Sequence, residues 1–174
     1  MTSIDDEVRR AVEAQIANRR KGDLEAAAHR KRVEADLNTC KNLFTRLQIE
    51  QRLQEINRVY LNQRGAIAVA HGFCIFSEDD HDLITKWSQA VSAGKLSWDS
   101  YEIDARVYRK DRHDPEYRFD SYVYEGSGYS KKIISQTSNM RALGYLVPLN
   151  RANVTKELAE HVATLFSAGI FQRS

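Results

Sequence analysis

The chain of 174 residues has two cysteines, two prolines and no long apolar run. Cys40 and Cys74 are too few for a disulfide scaffold and too far apart in sequence for a local metal knuckle. That excludes a small disulfide-stapled secreted protein and points to a reducing compartment. Two prolines, eight glycines and no low-complexity tract argue against extensive disorder. The longest apolar stretch, Ala66 to Phe76, is interrupted by His71 and Gly72 and is too short to span a bilayer. The N-terminus is charged from Asp5 onward and shows no signal-peptide core. The expectation is a cytoplasmic protein with no membrane partner. Charge of one sign is also lacking: 26 Lys+Arg stand against 24 Asp+Glu, a formal net charge of +2. Whole-chain charge is therefore no nucleic-acid footprint.

What is present is an ordinary globular composition, 42% hydrophobic and 29% charged. Residues 3–62 read as helix, rich in Ala, Glu, Arg, Leu and Gln, with Ser3 as N-cap and Asp5, Asp6 and Glu7 at the positive end of the dipole. Gly22-Asp23 is the one break expected inside it. Val33, Leu37, Cys40, Phe44 and Leu47 alternate by four and three, and after a shift the pattern resumes at Leu53, Ile56 and Tyr60. That seam suits a coiled coil or helical hairpin. Basic residues recur every eleven positions (Arg9, Arg20, Lys31, and one step on Arg10, Lys21, Arg32), which places six charges on one helix face. The face reads either as solvated surface or as a contact for phosphates or an acidic partner.

Gly65 ends the helical region. Ala66 to Phe76 fits a buried strand or a helix extension. Ser77 with Glu78, Asp79, Asp80 and Asp82 predicts a helix start, and Leu83, Ile84, Trp87, Ala90 and Val91 give that helix an apolar stripe as far as Ser92. From Tyr101 the period changes to two: Tyr101, Ile103, Ala105 and Val107 alternate with Glu102, Asp104, Arg106 and Tyr108. Tyr117, Phe119, Ser121 and Val123 repeat the pattern after a loop with Asp114-Pro115. Residues 131–147 sort by neither period. A last helix is predicted from about Ala152 to Ala168, with Val154, Leu158, Val162 and Leu165 on one face.

The segment Gly126-Ser-Gly128-Tyr-Ser130-Lys131-Lys132 carries the most chemistry. Were Lys131 to begin a helix, backbone N–H groups, the dipole and two ammonium groups would converge on one anion site. The spacing is not that of a Walker A loop. Here the chain resembles the double-stranded RNA-binding domain, whose second helix opens with Gly-x-Gly-x-Ser-Lys-Lys and ends with small residues and an Ala-Leu pair. Ser138, Ala142-Leu143 and Leu146 stand at the later places, and Ser135 replaces the third lysine. Upstream, Leu83 to Gln89 looks like the family's first helix, Tyr101 like the aromatic opening its first strand, and His113-Asp114-Pro115 like its His-containing loop. The resemblance covers about residues 80–147.

The resemblance implies an α-β-β-β-α fold that reads the shape of A-form RNA over about 16 base pairs. Lys131 and Lys132 would meet major-groove phosphates, with Ser130 beside them. His113 would enter one minor groove, and Gln89 and Lys86 the other. The expected fold class is α+β, in three regions. Residues 1–63 form a helical, coiled-coil oligomerisation region, residues 64–147 the RNA-binding-like domain, and residues 148–174 a C-terminal helix. The expected function is non-catalytic binding of double-stranded RNA, as a homodimer through the N-terminal helices that also covers the helical seams, with no cofactor.

Two alternatives stand beside it. One is a protein–protein scaffold on the same fold without RNA. The other is a metal-dependent nuclease using Glu102, Asp104 and Asp120. Against the second, alternating acids and arginines on a strand read as salt-bridged surface. The histidines, at 29, 71, 81, 113 and 161, lack ligand spacing. His71 reads as a core residue, His161 as a helix-surface residue, and both cysteines as small core hydrophobes.

Overall fold

The computed structural model describes residues 3–80, 83–109, 116–136 and 149–172, with the backbone path alone for 74–80 and 83–88. The fold is α+β. Helix α1 (Ile4–Arg46) and helix α2 (Ile49–Tyr60) lead into five strands: β1 (Ala66–Asp80), β2 (Leu83–Trp98), β3 (Tyr101–Arg109), β4 (Tyr117–Glu125) and β5 (Lys132–Gln136). Helix α3 (Arg151–Ser167) closes the sequence of elements. The strands form one antiparallel sheet in the order β1-β2-β3-β4-β5, each paired with its neighbour in sequence. The chain divides into two compact units, residues 1–35 and 36–174.

In the first unit α1 begins where expected: the Asp5 amide donates to Ser3 Oγ at 3.3 Å, and three acids occupy the first turn. Gly22 does not break it. The helix runs on to Arg46, and the turn comes at Leu47-Gln48, where Gln48 adopts a left-handed conformation (φ 57°). This is the place where the four-and-three repeat shifts.

In the second unit the seams expected to need a partner chain are covered internally. Cys40, Leu43, Phe44, Leu47, Ile49, Leu53 and Ile56 from the first two helices are buried. So are Val154, Leu158, Val162 and Leu165 of α3. All but Cys40 join one core with Leu96, Trp98, Ile103, Ala105, Val107, Phe119 and Val123 of the sheet. The side chains of a strand alternate between faces, so a single sheet face supplies that apolar row. A stack of Tyr60, Trp98, Phe166 and Phe171, with ring centroids 5.3–5.9 Å apart, closes one end.

The join between α2 and β1 is pinned by Asn57. Its side chain donates to the Gly65 carbonyl at 2.9 Å and accepts from the Gly65 amide at 2.8 Å. A Cβ on Gly65 would lie 2.6 Å from Leu96 Cδ1, so glycine is the residue that fits between helix and sheet.

The helix expected over residues 77–92 is not there. Residues 77–80 and 83–92 belong to a long hairpin in which β1 pairs with β2 from Ala66↔Ser97 to Asp80↔Leu83. Leu83, Ile84, Trp87 and Val91 mimic a helical stripe, but Ile84, Thr85, Trp87 and Val91 also favour strand, and pairing with β1 decides the outcome. The order expected from the resemblance, a helix before three strands, is thus replaced among the described residues by a five-strand meander.

Candidate functional site

The sheet face opposite the core carries the alternate residues of the central strands. Register aligns Lys95 with Asp104 and Tyr122, and Ser97 with Glu102 and Tyr124. Asp104 is 1% exposed although it lies on this outer face. A buried carboxylate requires partners. Arg106 grips it with two hydrogen bonds, at 3.0 and 2.7 Å, and Lys95 Nζ lies 3.8 Å away. Lys95 also approaches Glu102 at 3.5 Å. Asp120, the cross-strand neighbour of Arg106, accepts a hydrogen bond from the Tyr108 hydroxyl. Tyr108, Tyr122 and Tyr124 on this face are half-buried. Burial raises the Tyr124 phenol above its ordinary range.

The Gly126–Lys132 segment folds differently from a helix start. Gly126 (φ 95°) and Gly128 (φ 59°) use the left-handed region to make a tight turn. A single 3-10 turn, Gly128–Ser130, follows, and Lys131 is extended before β5 begins at Lys132. Ser130 Oγ donates to the Ser127 carbonyl at 2.7 Å. Lys131 Nζ donates to Glu102 Oε1 at 3.0 Å and lies 5.4 Å above the Tyr124 ring centre. The expected cradle, amide groups and two ammonium ions aimed at one anion, is not formed, because no helix starts here.

Gln89 and Lys132, among the remaining expected RNA contacts, lie on different strands, β2 and β5. Gln89 is buried on β2, not on a helix, and its side-chain amide donates to the Arg109 carbonyl. Lys86 is on the same strand, opposite Ser77. His113 lies outside the described residues. Lys132 is exposed at the start of β5.

Two polar clusters on the helix side were not expected. Asp36 accepts two hydrogen bonds from Arg109 Nη1, at 2.9 and 2.8 Å, and one from the Tyr117 hydroxyl at 3.2 Å. Burial raises the Tyr117 phenol, with Asp36 adding to the shift. Nearby, the Cys40 thiol donates to the Ala90 carbonyl and is pushed up to about 12 by burial and then by Asp36, so it stays protonated. The second cluster is His161, wholly buried rather than on a helix surface, between Ser121 Oγ at 2.8 Å and Ser135 Oγ at 2.7 Å. Burial lowers its pKa to about 4, so the ring is neutral. Parity gave the signal for both clusters. Arg109 and Tyr117 continue the inward rows of their strands, and His161 lies three residues after Leu158 on the buried face of α3.

His71 corrects the opposite way: it is exposed, hydrogen-bonded to Ser92 Oγ at 2.8 Å and edge-on to Phe44. Partial desolvation and then Lys41 lower its pKa.

No family model, no curated protein and no solved structure matches this chain. Among the described residues no group of three or more His, Cys, Asp or Glu is placed to hold a metal ion. Of the three carboxylates considered for a nuclease, Glu102 and Asp104 are ion-paired with Lys95, Arg106 and Lys131, and Asp120 accepts from the Tyr108 hydroxyl. Among the described residues no helix is long and apolar enough to cross a membrane.

The first unit offers a different kind of site. Every side chain from Glu7 to Ala26 is exposed. Val8 is 57% exposed, and Val12 and Ile16 are each 48% exposed. The basic residues Arg9, Arg10, Arg19, Arg20, Lys21, Arg30, Lys31 and Arg32 are exposed as well.

Proposed function

We propose that the protein is a non-catalytic scaffold that assembles with protein partners through its N-terminal helical unit. The observation that supports this reading is the exposure of every side chain from Glu7 to Ala26, apolar ones included. A single helix in water is marginally stable, and most helical stability in proteins comes from burying an apolar face. A helix that leaves Val8, Val12 and Ile16 in water gains that stability on association. Several polar groups of the sheet domain are meanwhile committed to one another, in the Asp104, Glu102 and Asp36 networks.

Binding of double-stranded RNA is a second reading, and the basic face of α1 favours it. Its charge groups recur every eleven residues, about 16 Å along a helix, and all are exposed. In this reading the phosphate contacts come from α1 rather than from Lys131.

Sedimentation velocity of the whole chain, over a range of concentrations and with or without a 20-base-pair RNA duplex at two salt levels, separates the readings. Concentration-dependent association without RNA supports the scaffold. A species that stays monomeric and binds the duplex in a salt-sensitive way overturns it in favour of RNA.

A further inference from the structure

We infer that the partner of the N-terminal unit is a second copy of this chain, its residues 4–33 lying antiparallel against the same residues of the first. The inference rests on the scaffold reading and deepens it.

The apolar face is real but narrow. At 3.6 residues per turn, Ile4, Val8, Val12, Gly22, Ala26 and Val33 fall within a stripe about 80° wide, which Gln15, Arg19 and Arg30 share. Ile4 is 77% exposed, Val8 57% and Val12 48%. Gly22 has no heavy atom within 4 Å of where a Cβ would stand. A glycine mid-helix lets a second backbone approach closely along one edge of the stripe. The eleven-residue basic rows, Arg9-Arg20-Lys31 and Arg10-Lys21-Arg32, lie on the other side of the helix. A partner can therefore cover the stripe while Arg9, Arg10, Arg20 and Lys21 stay in water.

Charge fixes both the occupant and its direction. Three consecutive acids, Asp5, Asp6 and Glu7, open the helix, and three consecutive bases, Arg30, Lys31 and Arg32, stand near the far end of the unit. Two copies laid antiparallel over residues 4–33 bring acids against bases at both ends. Two copies laid parallel set acids on acids and bases on bases. Like-charge juxtaposition is how helical pairs reject the wrong orientation. The helix dipoles, opposed in the antiparallel pair, favour the same choice. The surface thus complements itself.

Charge-swap variants of the full-length protein test this at low salt, where exposed charges are least screened. One variant carries Asp5→Lys, Asp6→Lys and Glu7→Lys. A second carries Arg30→Glu, Lys31→Glu and Arg32→Glu. Each alone is expected to self-associate at least tenfold more weakly than the wild type. An equimolar mixture of the two restores a dimer, and so does a chain carrying both sets. Val8→Glu/Val12→Glu is expected to abolish the dimer while the unfolding transition of the sheet domain is unchanged. Circular dichroism on each variant checks that α1 is retained.

Single variants that dimerise as well as the wild type overturn the antiparallel pairing while the scaffold reading survives. A mixture or double-set chain that stays monomeric overturns it too. A wild-type chain that is monomeric, and gains mass only on addition of duplex RNA, overturns both the inference and the scaffold reading.

Discussion

His161 Nε2 lies 2.8 Å from Ser121 Oγ, while Nδ1 of the same ring lies 2.7 Å from Ser135 Oγ. One imidazole, itself 0% exposed, thereby ties α3 to β4 and β5. A neutral ring supplies one donor and one acceptor, and a serine hydroxyl can play either part. A protonated ring would need two acceptors and would carry a buried charge.

Stability should therefore fall in acid. The folded pKa of about 4 lies below the ordinary 6.5. The unfolded chain takes up this proton first, so the contribution is complete above pH 6.5 and is lost as pH falls toward 4. A difference of this size is worth roughly 3 kcal/mol. Urea midpoints measured between pH 7 and 4 are the check. The variant His161→Gln should be less stable at pH 7 and should show a shallower fall across this window. Equal slopes for variant and wild type would remove His161 as the cause.

The Asp104 network makes an ordered prediction. Arg106 is 39% exposed on its side chain, whereas Asp104 is 1% exposed. Removing the arginine strands a buried carboxylate, while removing the carboxylate leaves an arginine that can turn to water. Arg106→Ala should cost about 3 kcal/mol and Asp104→Ala about 2 kcal/mol. Lys95→Ala, which removes a longer and more exposed ion pair, should cost under about 1 kcal/mol. The double variant Asp104→Ala/Arg106→Ala should be more stable than Arg106→Ala alone. Denaturant titration of the four proteins decides the order.

Two strand glycines should respond in opposite directions. A Cβ on Gly94 would stand 2.9 Å from Leu53 Cδ1 and 3.0 Å from Phe44 Cζ, whereas one on Gly72 would meet nothing within 4 Å. Gly94→Ala should destabilise by roughly 1–3 kcal/mol through overpacking of helix against sheet. Gly72→Ala should be neutral or stabilise by up to about 1 kcal/mol, since it restricts the unfolded chain without a clash. Thermal unfolding of both reads the sign.

The elements legible in the sequence are those where local pattern and burial agree. Strands β3 and β4 show in the alternation from Tyr101 and from Tyr117, and α3 in the spacing of Val154, Leu158, Val162 and Leu165. The turn between α1 and α2 shows as a phase shift between Leu47 and Leu53. Gly22 misleads, because an exposed helix tolerates a glycine at a modest cost. The β1–β2 hairpin is hidden for a physical reason. Residues 77–80 and 83–92 carry a stripe compatible with helix, and pairing between the two arms of the hairpin, from Asp80↔Leu83 outward, makes them strand. At the candidate site the cause is pairing across long stretches of chain. Nothing local says that Lys131 will find Glu102, 29 residues away, or that Asp36 will find Arg109, 73 residues away. Gly-x-Gly-x-Ser-Lys-Lys has the spacing of a helix start, but the chain after it enters the sheet.

That difference moves the RNA prediction from one lysine pair to another part of the chain. Lys131 pairs with Glu102 at a half-open site, so Lys131→Glu should cost less than about 1 kcal/mol of stability. If the chain binds a 20-base-pair RNA duplex, Lys131→Glu/Lys132→Glu should leave affinity within about threefold of wild type, because these residues form no phosphate cradle. Arg30→Glu/Lys31→Glu/Arg32→Glu should instead weaken binding and lower the slope of log affinity against log salt by about 2–3, roughly one for each phosphate no longer neutralised. The reverse result, with the Lys131 pair dominant, would mean that Lys131 releases Glu102 to reach a phosphate, and the sheet rather than α1 would be the nucleic-acid surface. Titrations of both variants over a range of salt, against RNA and DNA duplexes of one sequence, separate the two surfaces.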